Sequence, residues 1–192
     1  YHINNYKRML AYSSIENMGI LAIGTALGGV GMLAAMIHLI GHSLIKASFF
    51  LTSGNILELY GTKKIKSVIG IMKHDRKTGW LWVASFLGIA AFPPSVLFIS
   101  EFLMVKTMFL EHYILCALFL LLLTIILFGL GKAVIKMAFS SGKNEHSAEA
   151  ENKKLSWTMY APQIIMLILA FVIGIYMPQG LIKMIIFAVK GF

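Results

Sequence analysis

Three basic side chains, His38, His42 and Lys46, recur at every fourth position inside the apolar stretch 30–57. In an α-helix this spacing places them on one face as a ladder about 12 Å tall. The stretch is long enough to cross a bilayer, with the ladder near its middle. Ionisable groups at that depth are costly and usually line an ion or proton path. The chemistry that we predict is proton transfer.

Glu101 is a second charge inside an apolar segment. Counted from the ends of their segments, Glu101 lies about 13 Å deep and His38 about 10 Å deep. If the two helices are neighbours, a path from Lys46 through His42 and His38 to Glu101 leads from the middle of the membrane to one side. Its rungs, about 6 Å apart, need bridging water or side-chain motion to pass a proton.

Glu16 and Lys132 are further candidates, each with a structural alternative. Glu16 either supplies protons to Lys46 or accepts hydrogen bonds from its Ser and Asn neighbours. Lys132 either joins the relay or extends to the interface, as long basic side chains often do. In the structural alternative for the main cluster, the histidines join helices and Lys46 pairs with Glu101.

Metal and redox sites are not predicted. His38 and His42 have the spacing of a zinc-binding helix, but the zincin motif needs a Glu where Leu39 stands, and no carboxylate on that face completes a ligand set. The single cysteine, Cys116, excludes a disulfide framework and a cysteine-ligated cluster within these residues. We expect no cofactor in this chain.

The composition indicates an all-α polytopic membrane protein. Of 192 residues, 58% are hydrophobic and 13% charged, and the mean hydropathy is +0.80. The net charge of +9 clusters in loops, which is typical of membrane topology and not of a nucleic-acid groove, so no nucleic-acid partner is expected. The hydrophobic pattern predicts about five transmembrane helices, at 9–28, 30–57, 80–110, 113–139 and 157–177, followed by a short apolar piece at 181–192.

The third span is interrupted by Pro93-Pro94. Each proline lacks an N–H and clashes with the preceding turn, so the pair breaks a helix. Discontinuous helices near the bilayer midplane mark conduction sites in transporters. A hairpin of separate crossings at 80–92 and 95–110 is rejected, because each piece is short for a span.

One broken span leaves the basic loops at 58–79 and 140–156 on the same side, opposite Glu111 and His112. The excess of Lys and Arg predicts that the basic side is cytoplasmic. The domains expected are an antiporter-like transmembrane repeat at 1–139, a cytoplasmic polar loop at 140–156 and a C-terminal transmembrane helix with a short apolar tail at 157–192.

Several motifs follow one another in an order that one family shares. They are Lys7-Arg-Met-Leu-Ala-Tyr-Ser-Ser14, His38-xxx-His42-xxx-Lys46-Ala, Ser53-Gly-Asn55, Phe92-Pro-Pro94 and Ser100-Glu101-Phe102. With them the chain resembles the antiporter-like, proton-conducting subunits of respiratory complex I, Mrp-type cation/proton antiporters and group-4 hydrogenases. The stretches Ser13-Ser-Ile-Glu-Asn17 and Tyr60-Gly-Thr-Lys63 are most like the hydrogenase-4 branch.

The resemblance implies a subunit of about fourteen helices with two inverted five-helix repeats, of which this C-terminal fragment holds the second. It implies that Lys46, His42, His38 and Glu101 occupy the family's relay positions. The expected function is proton translocation in a redox-driven complex, NADH:quinone oxidoreductase-like or hydrogenase-4/formate hydrogenlyase-like. Partner subunits would carry the redox centres, in a bacterial or archaeal cytoplasmic membrane. An Mrp-type sodium/proton antiporter subunit and a structural subunit without conduction stay open as alternatives.

Overall fold

A computed structural model of the protein describes residues 4–142, 145–146, 150 and 153–190. The helices discussed below are α1 (Tyr6–Leu27), α2 (Gly29–Tyr60), α3 (Ile71–His74), α4 (Arg76–Ile89), α5 (Val96–Glu111), α6 (Tyr113–Phe139), α7 (Ala161–Ile175) and α8 (Gln179–Lys190). Short 3₁₀ turns lie at Ile65–Ser67 and Trp157–Met159. Apart from an isolated bridge between Asn5 and Lys64, the described residues contain no strand. The prediction of an all-α fold is confirmed.

Helices α1 and α2 form an antiparallel hairpin. The chain turns at Gly28 and Gly29, whose φ angles of 66° and 43° favour glycine. Near the turn, Gly24 packs against Ala35 so closely that a Cβ at 24 would lie 2.9 Å from the Ala35 Cβ. At the other end the Tyr6 hydroxyl donates to the Ser53 carbonyl at 3.4 Å. This hairpin places the polar residues of α1 beside the basic ladder of α2.

The two halves of the helix broken by the proline pair, α4 and α5, run past α2 in the same direction as each other. Contacts between the two follow the order of the residues, from Phe49–Trp82 and Ser48–Ser85 through Ile45–Gly88 and Gly41–Val96 to His38–Ser100. As the residue number falls along α2, it rises through α4, the turn at 90–95 and α5. The two halves therefore form one discontinuous span antiparallel to α2, and the prediction of a broken span rather than a hairpin is confirmed.

Helix α7 packs against α2 and α4 and reaches the break. At its start, the Tyr160 hydroxyl donates to the Asp75 carboxylate at 2.9 Å, and the Asn55 amide donates to the Met159 carbonyl at 3.0 Å. Near its end, Gly174 lies directly against the Pro94 carbonyl oxygen. Helix α7 therefore supports the broken span on the side of the proline pair.

The core lies where α1, α2 and α4 meet. The Phe49 and Trp82 rings are 4.6 Å apart between centroids, and Tyr6 meets Trp82 edge-on at 6.0 Å. All three side chains are fully buried. Because aromatic rings bury large areas in a fixed geometry, this cluster holds the three helices in register one turn away from Lys46.

Among the described residues, three helical segments are long and apolar enough to cross a membrane on their own: Gly29–Tyr60, Tyr113–Phe139 and Trp157–Ile175. The sequence predicted about five spans. Helix α1 has 22 residues but is more polar, since it contains Ser13, Ser14, Glu16 and Asn17. Helices α4 and α5, with 14 and 16 residues, are each short for a span and cross only as a pair.

The basic loops meet at one end of the bundle. The Tyr6 N–H donates to the Lys63 carbonyl at 3.1 Å, and the Lys153 ammonium donates to the Glu58 carbonyl at 2.9 Å. Together with the Tyr160–Asp75 contact, these bonds place the start of α1 and residues 58–80 beside residues 153–160. Much of the polar loop predicted at 140–156 lies outside the described residues, and the predicted domain boundaries stay predictions.

Candidate functional site

Lys46 is held by α1. Its side chain is 5% exposed, and the Nζ donates to the Leu10 carbonyl at 2.8 Å and to the Ser13 hydroxyl. The Ser13 hydroxyl itself donates to the Leu10 carbonyl at 3.0 Å. Lys46 therefore hydrogen-bonds to α1. In the structural alternative from the sequence it would instead pair with Glu101. The carboxylate that interacts electrostatically with Lys46 is Glu16.

His38 connects three helices. Its ring is fully buried on α2, with Nε2 at 3.1 Å from the Asn17 Oδ1 of α1 and Nδ1 at 3.0 Å from the Ser100 Oγ of α5. Buried polar groups are costly without hydrogen-bond partners, and His38 has one on each ring nitrogen. The ring is therefore fixed in position and orientation.

His42 lies between the other two members of the ladder. Its ring is parallel to that of His38, with 6.3 Å between centroids and an interplanar angle of 11°. It interacts electrostatically with both Lys46 and His38. The buried Nε2 of His42 has no hydrogen-bond partner among the residues that the structure describes. His42 is thus the least constrained member of the ladder.

Glu101 lies on α5 directly after Ser100 and is 7% exposed. It interacts electrostatically with Glu16 of α1, which in turn interacts with Lys46. The structure therefore brings five of the six predicted residues together where α1, α2 and α5 meet: Lys46, His42, His38 and Glu101 are buried, and Glu16 beside them is half-buried. Glu16 therefore lies at the site, and the two roles that the sequence allowed for it, supplying protons and accepting hydrogen bonds, stay predictions.

Lys132, the sixth predicted residue, is exposed on α6 and lines a groove that also borders the site. A cavity of about 690 Å³ separates α1 from α6, and its polar lining includes Ser13, Glu16 and Lys132. Ser13 is the same side chain that accepts from Lys46. The groove therefore connects the basic end of the bundle, where Lys66 and Lys136 line it, with the hydrogen bonds of Lys46.

Sequence reasoning did not identify Ser13, Asn17 and Ser100 as site residues. Their signal was present, since Ser13 and Asn17 are four residues apart on one face of α1 and Ser100 precedes Glu101. Polar side chains in an apolar span commonly bond to a neighbouring helix, but the sequence does not say to which. Within the described part of the chain, no three His, Cys, Asp or Glu residues come together to hold a metal ion.

Comparison with known proteins identifies similar chains. The family model described as "NADH:quinone oxidoreductase/Mrp antiporter, TM" matches residues 2–127. The chain is 30% identical over 184 residues to a hydrogenase-4 component F homolog of Methylacidiphilum infernorum, covering 95% of this chain and 37% of the relative. It is 28% identical over 172 residues to a Na(+)/H(+) antiporter subunit of Alkalihalophilus pseudofirmus, covering 88% and 34%.

The fold is also similar to a solved structure. A chain in the structure of the Mrp complex from Dietzia sp. superposes with a TM-score of 0.81 at 18% identity, covering 94% of this chain and 41% of that one. At this identity the likeness concerns the fold. The chain spans a little over a third of the length of the two relatives.

Proposed function

The chain belongs to the NADH:quinone oxidoreductase/Mrp antiporter transmembrane family, and from that premise we propose that it relays protons within a membrane subunit of a redox-driven complex. The observation that carries the proposal is the group of four buried residues, Lys46, His42, His38 and Glu101, with the half-buried Glu16 beside them, at the junction of α1, α2 and the broken span. Burying so many ionisable side chains is costly, and function is the usual reason for it.

The proposed path begins at the groove between α1 and α6. Protons enter past Lys132 to Glu16 and Ser13, where the hydrogen bonds of Lys46 begin. From Lys46 they pass along the ladder to His42 and His38, and from there to the helix that carries Glu101. Successive side chains of the ladder are about 6 Å apart along the helix, so a proton needs a bridging water or side-chain motion to pass between them.

Electrostatic coupling makes the relay sequential. Two positive charges about 6 Å apart repel each other by roughly 3 kcal/mol at an effective dielectric constant of about 20. A proton on Lys46 therefore disfavours one on His42 by a factor of more than about 100, since about 1.4 kcal/mol corresponds to tenfold. A change of charge at Glu16, driven from elsewhere in the complex, alters this balance and moves the proton along the ladder.

The proposed setting is a multi-subunit complex in a bacterial or archaeal cytoplasmic membrane, with the basic loops in the cytoplasm. The membrane helices of the family and the clustering of the basic loops at one end of the bundle support this setting. Redox centres belong to partner subunits in this proposal. The likeness to the hydrogenase-4 component F homolog supports a redox-driven complex.

The test is redox-driven proton uptake by vesicles that contain the full-length subunit in its complex, comparing wild type with Lys46→Met. We expect uptake to be lost while the complex assembles and electron transfer continues. The exposed Lys106 of α5 provides the matched control, and Lys106→Met should keep normal uptake. Normal uptake with Lys46→Met would refute the relay, and a complex that no longer assembles would support a structural role.

A sodium/proton antiporter subunit is the second candidate, favoured by the likeness to the Na(+)/H(+) antiporter subunit of Alkalihalophilus pseudofirmus. The same vesicles distinguish the two functions. Proton uptake that requires sodium on the opposite side, and that continues without electron transfer, would support the antiporter. Uptake that is independent of sodium and requires electron transfer would support the redox-driven relay.

A further inference from the structure

The orientation of the Asn17 amide determines where His38 carries a hydrogen. The Asn17 Nδ2 donates to the Ser13 carbonyl at 2.7 Å, so the Oδ1 is the atom that faces His38. An amide oxygen only accepts hydrogen bonds. The His38 Nε2, at 3.1 Å from this oxygen, therefore carries a hydrogen whether the ring is neutral or charged.

It follows that the exchangeable proton of His38 belongs to Nδ1. This nitrogen is an acceptor in the neutral ring and a donor in the charged ring. Its partner is the Ser100 hydroxyl at 3.0 Å, and the same hydroxyl lies 2.9 Å from the Leu97 carbonyl oxygen. A hydroxyl has one hydrogen and can also accept, so Ser100 can satisfy Nδ1 in both states by turning that hydrogen.

We propose that Ser100 is a positioning residue that lets His38 gain and lose a proton at Nδ1 without losing a hydrogen bond. When the ring is neutral, the Ser100 hydroxyl donates to Nδ1. When Nδ1 carries a proton, it donates to the Ser100 oxygen, and the hydroxyl hydrogen turns to the Leu97 carbonyl. The proton itself passes between Nδ1 and a bridging water of the relay: a protonated water loses it as the N–H bond forms, and a neutral water takes it back. The O–H bond of Ser100 stays intact, and its hydrogen only turns.

The stacking of the two histidines supports this assignment. Ring nitrogens bond in the plane of their ring, whereas the His38 and His42 planes are parallel and 6.3 Å apart between centroids. Both ring nitrogens of His38 bond to other residues, Asn17 and Ser100, so neither bonds to His42, and the proton exchanges at Nδ1 on the Ser100 side. The charged groups around this position are His42 and Lys46 on α2, Glu16 on α1 and Glu101 on α5.

This inference rests on the proposed function for its purpose, but its decisive test does not depend on transport. The test is ¹⁵N NMR of histidine-labelled full-length subunit in its complex, with the His38 signals identified by their absence in His38→Gln. We expect neutral His38 to carry its hydrogen on Nε2, with Nδ1 accepting. A neutral ring with the hydrogen on Nδ1 would overturn the proposal, whether or not the complex translocates protons.

A first variant tests whether Asn17 determines which nitrogen of His38 carries the hydrogen. Asn17→Leu removes the acceptor for Nε2 while keeping a side chain of similar size. We expect the neutral ring then to show a mixture of both tautomers in the same spectra. A spectrum identical to that of the wild type would contradict the assignment, because Asn17 would not determine which nitrogen carries the hydrogen.

A second pair of variants tests the hydroxyl. A hydrogen bond to a charged group is strong, so Ser100→Ala should slow proton uptake about tenfold or more, and Ser100→Thr, which keeps a hydroxyl, should restore most of the rate. The control is Ser48→Ala, which removes a buried hydroxyl that also joins α2 to the broken span, at 3.1 Å from Ser85, but lies outside the site. Equal rates for Ser100→Ala and Ser48→Ala would overturn the proposal.

Discussion

The contact between Gly174 and the break in the discontinuous span makes a strong prediction. A Cβ added at Gly174 would collide with the Pro94 carbonyl oxygen and with the backbone of Ser95 and Val96. Flexible side chains can turn away from such a collision, but these are backbone atoms between two short helices. Gly174→Ala must therefore displace either α7 or the turn that begins α5.

The size of the effect follows from two opposing contributions. Forcing extra volume into a packed contact typically costs about 1–3 kcal/mol. Replacing glycine by alanine within a helix gives back about 0.5–1 kcal/mol. The midpoints of these two ranges leave a net destabilisation of about 1.3 kcal/mol, and their extremes span about 0–2.5 kcal/mol. At roughly 2–4 °C per kcal/mol for a domain of this size, the midpoint value lowers the melting temperature by about 3–5 °C.

The assay is thermal unfolding of the purified full-length subunit in detergent, together with proton uptake by the assembled complex. The matched control is Gly54→Ala on α2, where a Cβ would meet nothing within 4 Å. This variant gains the same helix stabilisation without a collision, so its melting temperature should stay level or rise slightly. Equal melting temperatures for the two variants would refute the packing of α7 against the break.

Three further substitutions test other contacts. Gly41→Ala places a Cβ against the side chains of Val96 and Leu97 and not against backbone atoms, so its melting temperature should fall less than that of Gly174→Ala. Tyr160→Phe removes the hydrogen bond to Asp75 and should lower the free energy of unfolding by about 1 kcal/mol, measured by the same assay; an unchanged melting temperature would contradict that contact. Lys132→Gln, in the groove that contains Glu16, should slow proton uptake several-fold, whereas Lys106→Gln should not; equal rates would exclude the groove as the entry route.

The sequence was sufficient for the features that depend on local periodicity. The spacing of His38, His42 and Lys46 defines one helix face whatever surrounds it, and Pro93-Pro94 interrupts a helix in any context. Both features were predicted and both are present. The predicted spans at 9–28 and 30–57 also agree closely with α1, Tyr6–Leu27, and α2, Gly29–Tyr60.

What the sequence did not provide are contacts between distant residues. His38 bonds to Asn17, 21 positions away, and to Ser100, 62 positions away, and neither distance is encoded in a local pattern. The place of Glu16 beside Lys46 depends on the register of α1 against α2. That register is determined by packing such as Gly24 against Ala35, which no single stretch reveals. The short helix α3 inside the basic loop was likewise not predicted.

The length of α2 has a consequence for the membrane around it. Its 32 residues span about 48 Å, whereas the hydrocarbon core of a bilayer is about 30 Å thick. Even at a typical tilt of about 20°, roughly 15 Å of the helix extends beyond the core. Lys46 lies far enough from both ends that this surplus absorbs changes in bilayer thickness. Lys46 therefore stays within the hydrocarbon layer in thin and thick membranes alike, and hydrophobic mismatch is taken up at the helix ends.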